Sequence, residues 1–179
     1  MRIKILLTSF QTWLSHQKSN SADDLLEIIQ EKYDDDFVSL FFLRSLPVDI
    51  GLASQKVIAQ IQAIQPDVVI CCGMAEKRSK LTLESNATCN GECIYTSVDL
   101  IKLNKFAMVT EISQDAGKFV CEGLYYQVLK YTQSLSKNTS CIFVHVPLLE
   151  QSNLNFILHD FHFIISSLAF KLSEMTKRK

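Results

Sequence analysis

The sequence has no long apolar segment and no recognisable targeting signal. None of its apolar runs approaches the length of a membrane-spanning helix. The opening stretch, residues 1–8, is too short and too quickly polar for a secretory signal peptide. We therefore expect a cytoplasmic protein that does not associate with membranes.

The chain also has no excess of charge of either sign. Its 18 Lys and Arg residues are matched by 19 Asp and Glu residues, so the net charge at pH 7 is -1. A balanced chain has no overall field to attract nucleic acid or an anionic membrane surface. We expect a small or neutral molecule as the partner, and no nucleic acid.

Paired-cysteine and phosphate-binding motifs are missing as well. The six cysteines contain no C-x-x-C pair, and a reducing cytosol disfavours a disulfide framework. Cys89, Cys93 and His145 could be imagined as zinc ligands, but no fourth ligand stands at a recognisable spacing. No glycine-rich loop supports nucleotide binding. We predict neither a metal nor a cofactor.

The length and apolar content fit one domain. A chain of 179 residues that is 47% apolar can bury a substantial core, and we find no repeat, low-complexity segment or linker. We therefore predict a single domain over residues 1–179.

Strand and helix patterns alternate along the first half of the chain. Buried strands are predicted at 3–8, 37–46 and 67–73, with helices beginning at 21 and 50 between them. This alternation predicts a three-layer α/β/α architecture with a mainly parallel, twisted sheet.

The second half is predicted less regularly. It contains predicted strands at 81–88, 105–112 and 141–147, an Asn90-Gly91 turn, and helices at 119–133 and 154–175. Ligands of such sheets bind beyond the carboxyl ends of the strands, so the loops at 9–20 and 74–79 are candidate rims of a site.

Cys121 lies in the first turn of a predicted helix, just after the break at Ala116-Gly117. Unpaired N–H groups and the positive end of the helix dipole favour the thiolate there, which would make Cys121 a nucleophile. The alternative is a small buried hydrophobic residue, which is the common situation of a free cysteine.

His145 ends an apolar strand at the sheet edge where the Cys121 helix begins. It could take the proton of the thiol, and a carboxylate would then hold its ring in place. Glu84 is the best candidate because it lies on an apolar strand, although Asp67, Glu76 and Asp115 compete for this role. Taken singly, His145 could be a core histidine and Glu84 a solvent-facing residue.

Three blocks of sequence together resemble pyroglutamyl peptidase I, peptidase family C15. Residues 81–84 (L-T-L-E) are similar to its I-T-x-E, residues 116–121 (A-G-K-F-V-C) to its A-G-T-F-V-C, and residues 143–147 (F-V-H-V-P) to its F-I-H-V-P. Residues 6–10, 46–48 and 66–73 also resemble family segments, so the likeness spans nearly the whole chain.

The resemblance implies a cysteine exopeptidase on a phosphorylase/hydrolase-like α/β fold that removes an N-terminal pyroglutamyl residue from peptides without a metal or cofactor. Cys121 would attack the carbonyl, His145 would act as base and then acid, and Glu84 would orient His145. Phe10, Trp13 and Asn20 fall at or near substrate-binding positions of the family. The partner would be a peptide with a blocked amino terminus, and an oligomer is left open.

The chain also departs from the family pattern. The opening T-G-F-x-P-F-G-G is here T-S-F-Q-T-W-L-S at 8–15, the arginine after the glutamate is Ser85, and the asparagine after the cysteine is Glu122. We expect Glu122 to raise the pKa of Cys121. The segment between Glu84 and Cys121 is shorter than in the family. The alternative to a shortened, divergent peptidase is a non-catalytic member of the fold that binds a small molecule or a partner.

Overall fold

The computed structural model describes residues 2–177 and the side-chain surroundings of residues 2–172. Its strands are β1 (Ile3–Phe10), β2 (Val38–Leu46), β3 (Val68–Met74), β4 (Leu81–Glu84), β5 (Asn86–Cys89), β6 (Glu92–Tyr95), β7 (Thr110–Ser113) and β8 (Ser140–Val146). Its helices are α1 (Ser21–Lys32), α2 (Ile50–Ile64), α3 (Leu100–Asn104), α4 (Val120–Ser134) and α5 (Leu154–Lys177).

The main sheet has the strand order β2-β1-β3-β8-β4-β7 in the described chain. Its strand pairs are parallel except for β4 and β8, which run antiparallel. The predicted mainly parallel sheet is therefore confirmed. Because β1, β3 and β8 are parallel, their carboxyl ends meet at one edge.

Helices cover this sheet on both faces. Alternate residues of the strands pack with α1, α3 and α5 on one side and with α2 and α4 on the other. On β3, for example, Val68 and Ile70 face α1 and α5, whereas Val69 and Cys71 face α2 and α4. The predicted three-layer α/β/α architecture is confirmed. No helix within residues 2–177 combines the length and apolar character needed to span a membrane.

The single strand predicted at 81–88 is wrong, because the chain forms two strands there. β4 belongs to the main sheet, whereas β5 pairs with β6 in a separate hairpin that packs on α4. Ser85 separates them, donating its N–H to the Ser113 carbonyl and accepting from Thr96. The predicted Asn90-Gly91 turn is confirmed, with φ values of 50° and 82°.

The strand predicted at 105–112 is also wrong in its extent. β7 covers only Thr110–Ser113, and the residues before it follow α3 as irregular chain. The buried carboxylate of Asp160 on α5 accepts hydrogen bonds from the N–H groups of Met108 and Val109 and from the Thr110 hydroxyl. A side chain on α5 thus takes the backbone donors that a strand ladder would otherwise use.

We expect Asp160→Ala to lower the free energy of unfolding by about 3 kcal/mol, because two backbone N–H groups and the Thr110 hydroxyl would lose their charged acceptor. Burial opposes ionisation of Asp160, but the hydrogen bonds from Met108, Thr110 and Val109 hold its pKa below the ordinary value. A lowered folded-state pKa gives stability that is present above the ordinary carboxyl pKa and is lost as the pH falls through the folded value.

Urea unfolding of the wild type and Asp160→Ala at neutral and acidic pH checks this prediction. The difference in unfolding free energy should be largest at neutral pH and shrink in acid. The exposed Asp34→Ala serves as the control and should change stability little at either pH. Equal, small losses for both variants would contradict the role of Asp160.

Candidate active site

Cys121 is the second residue of α4, as the sequence predicts. Phe119 is the N-cap residue of this helix, and its side chain makes no capping hydrogen bond. The first helical hydrogen bond runs from the Gly123 N–H to the Phe119 carbonyl, at 3.2 Å. The N–H groups of Val120, Cys121 and Glu122 therefore precede the helical bonding pattern. They form a cluster of donors beside the sulfur.

The sulfur of Cys121 lies directly over Gly73, near the carboxyl end of β3. A Cβ atom built on Gly73 would lie 2.7 Å from Cys121 Sγ and 2.8 Å from the ring of Phe143. A residue with any side chain at position 73 would therefore displace the sulfur or the ring. Because Gly73 has no side chain, there is room for the Cys121 thiol at this edge of the sheet.

His145 lies beside Gly73 on the neighbouring strand. The two residues pair in the parallel register of β3 and β8, and the imidazole packs 4.8 Å from the Phe143 ring, measured between centroids. Adjacent strands are only about 4.8 Å apart, so Cys121 and His145 occupy neighbouring positions on one face of the sheet. No hydrogen bond joins Sγ to the imidazole in the described part of the chain.

Glu84 holds the imidazole of His145 from the opposite side. Its Oε1 lies 2.7 Å from His145 Nδ1, and the relative exposures of the two residues are 0% and 6%. Antiparallel pairing of β4 with β8 sets this distance, because Thr82 pairs with His145 and Glu84 with Phe143. With Nδ1 bonded to the acid, Nε2 is the ring nitrogen left for proton transfer.

The competing carboxylates have other partners. Asp67 pairs with Lys137, Glu76 accepts hydrogen bonds from His16 and Gln17, and Asp115 accepts the Gly117 N–H within its own turn. Glu84 is the carboxylate that meets His145.

Arg78 is a site residue that the sequence analysis missed. Its Nη1 lies 2.5 Å from Glu84 Oε1, the oxygen that also contacts His145, and its Nη2 donates to the Asp115 carbonyl at 2.8 Å. The signal available in the sequence was a lone arginine in the predicted rim 74–79, a few residues before a carboxylate that needs a buried countercharge.

Tyr125 connects α4, which carries Cys121, to β4, which carries Glu84. It lies one turn after Cys121 on α4, is fully buried, and donates its hydroxyl to the backbone carbonyl of Glu84 at 2.9 Å. This hydrogen bond holds α4 in a fixed position against β4, and so also fixes where Cys121 lies relative to the Glu84–His145 pair.

The expectation of a thiolate favoured by the helix start is not met in the resting structure. Burial raises the pKa of Cys121 to about 12, with nearby Cys71 and Glu84 adding to the shift, and the Cys121 N–H and Arg78 only oppose it. Glu122, expected to raise this pKa, instead accepts the Thr88 N–H at 3.1 Å. At neutral pH Cys121 therefore rests as a thiol.

The three residues predicted to bind substrate lie in different surroundings. Phe10 ends β1 and is buried in the core beneath α4, whereas Trp13 is 51% exposed and packs 5.5 Å from the ring of Phe119, itself 66% exposed. Asn20 caps α1: its Oδ1 accepts the Ala22 N–H and its Nδ2 donates to the Gln11 carbonyl. Substrate binding by these residues stays a prediction.

Comparison with known proteins fits this geometry. The family model described as pyroglutamyl peptidase matches residues 95–158, which include Cys121 and His145. A pyrrolidone-carboxylate peptidase of Brachyspira hyodysenteriae is 26% identical, with 86% of this chain and 87% of the relative aligned. These matches support membership of the chain in the pyroglutamyl peptidase family. A second family relative, from Bacillus licheniformis, is 29% identical over 53% of this chain and 56% of its own length.

Solved structures of the family share the fold. Pyroglutamyl peptidase I from Bacillus amyloliquefaciens superposes with a TM-score of 0.81 at 19% identity, covering 94% of this chain and 96% of that one. Pyrrolidone carboxyl peptidase from Thermococcus litoralis gives 0.80 at 16% identity, with coverages of 97% and 96%. The aligned parts include nearly all of those chains, so this chain shares their fold.

Proposed function

We propose that this chain is a cysteine peptidase that hydrolyses the amide bond after an N-terminal pyroglutamyl residue. The observation that carries the proposal is the buried Glu84–His145 pair next to a cysteine in the first turn of α4. Family membership supports a peptide as the substrate. We infer the blocked amino terminus of this substrate from the relatives, which are named pyrrolidone-carboxylate peptidases.

The acylation step uses each group at its observed position. Nε2 of His145 takes the Cys121 proton as Sγ attacks the substrate carbonyl, and Glu84 at Nδ1 stabilises the resulting imidazolium. The free N–H groups at the start of α4 donate to the oxyanion, an interaction often worth about 3 kcal/mol. The imidazolium then gives its proton to the leaving amine, and a thioester remains on Cys121.

Deacylation reverses these roles. His145 takes a proton from water as the water oxygen attacks the thioester carbonyl; the C–S bond then breaks, and the imidazolium gives the proton to the released sulfur. The products are free pyroglutamate and a peptide that is shorter by one residue.

The raised pKa of Cys121 determines how this chemistry starts. A thiol with a pKa of about 12 is almost fully protonated at neutral pH, so proton transfer to His145 must accompany the attack. Since no hydrogen bond joins Sγ and the imidazole in the described residues, the Cys121 side chain must turn toward Nε2 when substrate binds.

The exposed aromatic pair beside α4 fits the proposed substrate. Trp13 and Phe119 pack at a 50° angle close to the start of the helix that carries Cys121. A pyrrolidone ring is flat and uncharged, so aromatic side chains offer it contact area without a charge to desolvate.

We expect Trp13→Ala to raise KM for a pyroglutamyl amide by about tenfold, the equivalent of one aromatic contact, while kcat changes little. Steady-state kinetics over a range of substrate concentrations measures both constants. Phe37→Ala is the matched control, because Phe37 is an exposed aromatic at the opposite end of the sheet. A KM that is equally raised in both variants would contradict a binding role for Trp13.

We place the protein in the cytoplasm because its six cysteines are free and its nucleophile must stay reduced.

Self-association of the chain would cover exposed apolar residues near α3 and β7, namely Ile101, Phe106 and Met108. Analytical ultracentrifugation measures the oligomeric state.

The deciding experiment uses a panel of N-terminal amide reporters that includes the pyroglutamyl amide. Wild-type protein should release the reporter from the pyroglutamyl amide, Cys121→Ala should not, and the exposed Cys93→Ala should behave as the wild type. Wild-type protein no more active than Cys121→Ala on any reporter would overturn the proposal.

A second candidate is a member of the fold that binds the same ligand without turnover. The raised pKa of Cys121 and the missing sulfur–imidazole bond in the described chain favour it. Calorimetry separates the two candidates: this one predicts stable binding of a pyroglutamyl peptide that is recovered intact, whereas the peptidase consumes it.

A further inference from the structure

Arg78 binds the acid of the triad more closely than any other residue that the structure describes. Its guanidinium contacts Glu84 Oε1 at 2.5 Å, compared with 2.7 Å for His145 Nδ1, and its side chain is 26% exposed. A fully buried carboxylate needs a countercharge, and a guanidinium carries a permanent one. Arg78 provides it.

The geometry differs from an ordinary two-pronged arginine–carboxylate pair. A fork would place one guanidinium nitrogen on each carboxylate oxygen. Here only Nη1 binds Glu84, through Oε1, while Oε2 of Glu84 is buried without a hydrogen-bond partner. The second prong, Nη2, instead donates to the backbone carbonyl of Asp115.

That second contact connects the acid to the nucleophile. Asp115 begins a tight turn in which its Oδ1 accepts the Gly117 N–H and Gly117 has φ of 90°. The chain then enters α4, with Cys121 in its first turn. One side chain therefore holds both the carboxylate that orients His145 and the loop that positions the Cys121 helix.

We propose that Arg78 is a positioning residue for the reaction, which fixes Glu84 against His145 and couples this pair to the loop that carries Cys121. The inference rests on the proposed peptidase function and adds a fourth residue to the Glu84, His145 and Cys121 set. Arg78 acts through Glu84 and Asp115, and does not touch the reacting atoms.

The positive charge of Arg78, in contact with the Glu84 carboxylate, also limits how strongly Glu84 stabilises the imidazolium of His145. The titratable or charged groups that face this imidazole and its carboxylate are Glu84 from β4, Arg78 from the loop before it, Cys121 and Tyr125 from α4, and Cys71 from β3. Arg78 is the cation among them, so removing it leaves the carboxylate with its full charge toward His145.

The test compares Arg78→Gln, Arg78→Lys and the control Lys77→Gln, in which an exposed cation next to Arg78 is removed. For Arg78→Gln we expect kcat to fall about thirtyfold with little change in KM. We also expect the acidic limb of the plot of kcat/KM against pH to shift toward higher pH by about half a pH unit or more. Arg78→Lys keeps the charge but cannot bridge two acceptors. It should restore the position of the limb while kcat stays low.

A second readout needs no substrate. The rate of Cys121 alkylation by iodoacetamide, followed by mass spectrometry across pH, reports proton loss from the thiol to the imidazole. In Arg78→Gln its pH dependence should shift in the same direction as the kinetic limb, and Lys77→Gln should match the wild type in both assays.

Wild-type kinetics and alkylation profiles in Arg78→Gln would overturn the role of Arg78. So would a lowered melting temperature with unchanged kcat per folded molecule, because that result describes a purely structural ion pair. If Arg78→Gln does not fold, Arg78→Lys carries the test, and wild-type kcat in that variant overturns the coupling. Failure of the wild type on every reporter would instead count against the proposed function, while the alkylation profiles still test Arg78.

Discussion

Replacement of His145 by asparagine is expected to lower kcat/KM for a pyroglutamyl amide by about 10⁴-fold. Asparagine can still donate a hydrogen bond toward Glu84 from about the position of Nδ1, but it has no group that accepts the Cys121 proton. Because the resting thiol has a pKa of about 12, almost no thiolate forms without this base. The remaining activity should come from substrate binding and the donors at the start of α4.

Stopped assays with the reporter amide measure this loss, and circular dichroism melting checks the fold. His16→Asn is the matched control, since this exposed histidine pairs with Glu76 and should leave kcat/KM unchanged. A His145→Asn variant that keeps more than about a tenth of wild-type kcat/KM would contradict general-base catalysis, whose loss typically costs about 10²-fold or more.

Gly73→Ala is expected to reduce kcat/KM by about 10²-fold or more, because an added methyl group would displace the nucleophile by about an ångström. The new Cβ would lie 2.7 Å from Cys121 Sγ and 2.8 Å from the Phe143 ring, well inside normal contact distances. Phe143 is fully buried between Tyr125 and His145, so it has little room to move aside. We expect a stability loss of about 1 to 3 kcal/mol from this overpacking.

Gly51→Ala supplies the control for the glycine substitution itself. Its added Cβ would meet Asp49 at an ordinary 3.4 Å, and alanine favours the helical conformation at that position. Activity of Gly51→Ala should equal that of the wild type. If Gly73→Ala kept wild-type kcat/KM, the placement of Cys121 over Gly73 would be incorrect.

Residues whose surroundings follow from local pattern were predicted well. The apolar runs predicted as strands at 3–8, 67–73 and 141–147 form parallel strands that end at Phe10, Met74 and Val146. Each is buried on both faces, and their carboxyl ends meet at the predicted edge. The meeting of Glu84 with His145 follows from that edge together with the family resemblance.

Features decided by long-range contacts were missed. Asp160 captures the backbone donors of Met108 and Val109 from α5, and the pattern around those residues does not reveal this. Arg78 was missed for the same reason, because its partners Glu84 and Asp115 come together only in the folded sheet. The helix start that favours a thiolate was visible in the sequence, whereas the burial that raises the pKa of Cys121 was not.

The central claim is that Cys121 and His145 act together on a carbonyl held beside α4. A pyroglutamyl chloromethyl ketone tests it most directly, because binding of the ring, attack by sulfur and the help of the imidazole all contribute to one covalent adduct. Peptide mass mapping should find one adduct per chain on Cys121, formed much more slowly in His145→Asn and suppressed by a pyroglutamyl peptide. Preferential labelling of the exposed Cys93, or labelling of Cys121 at the same rate in His145→Asn, would contradict the account.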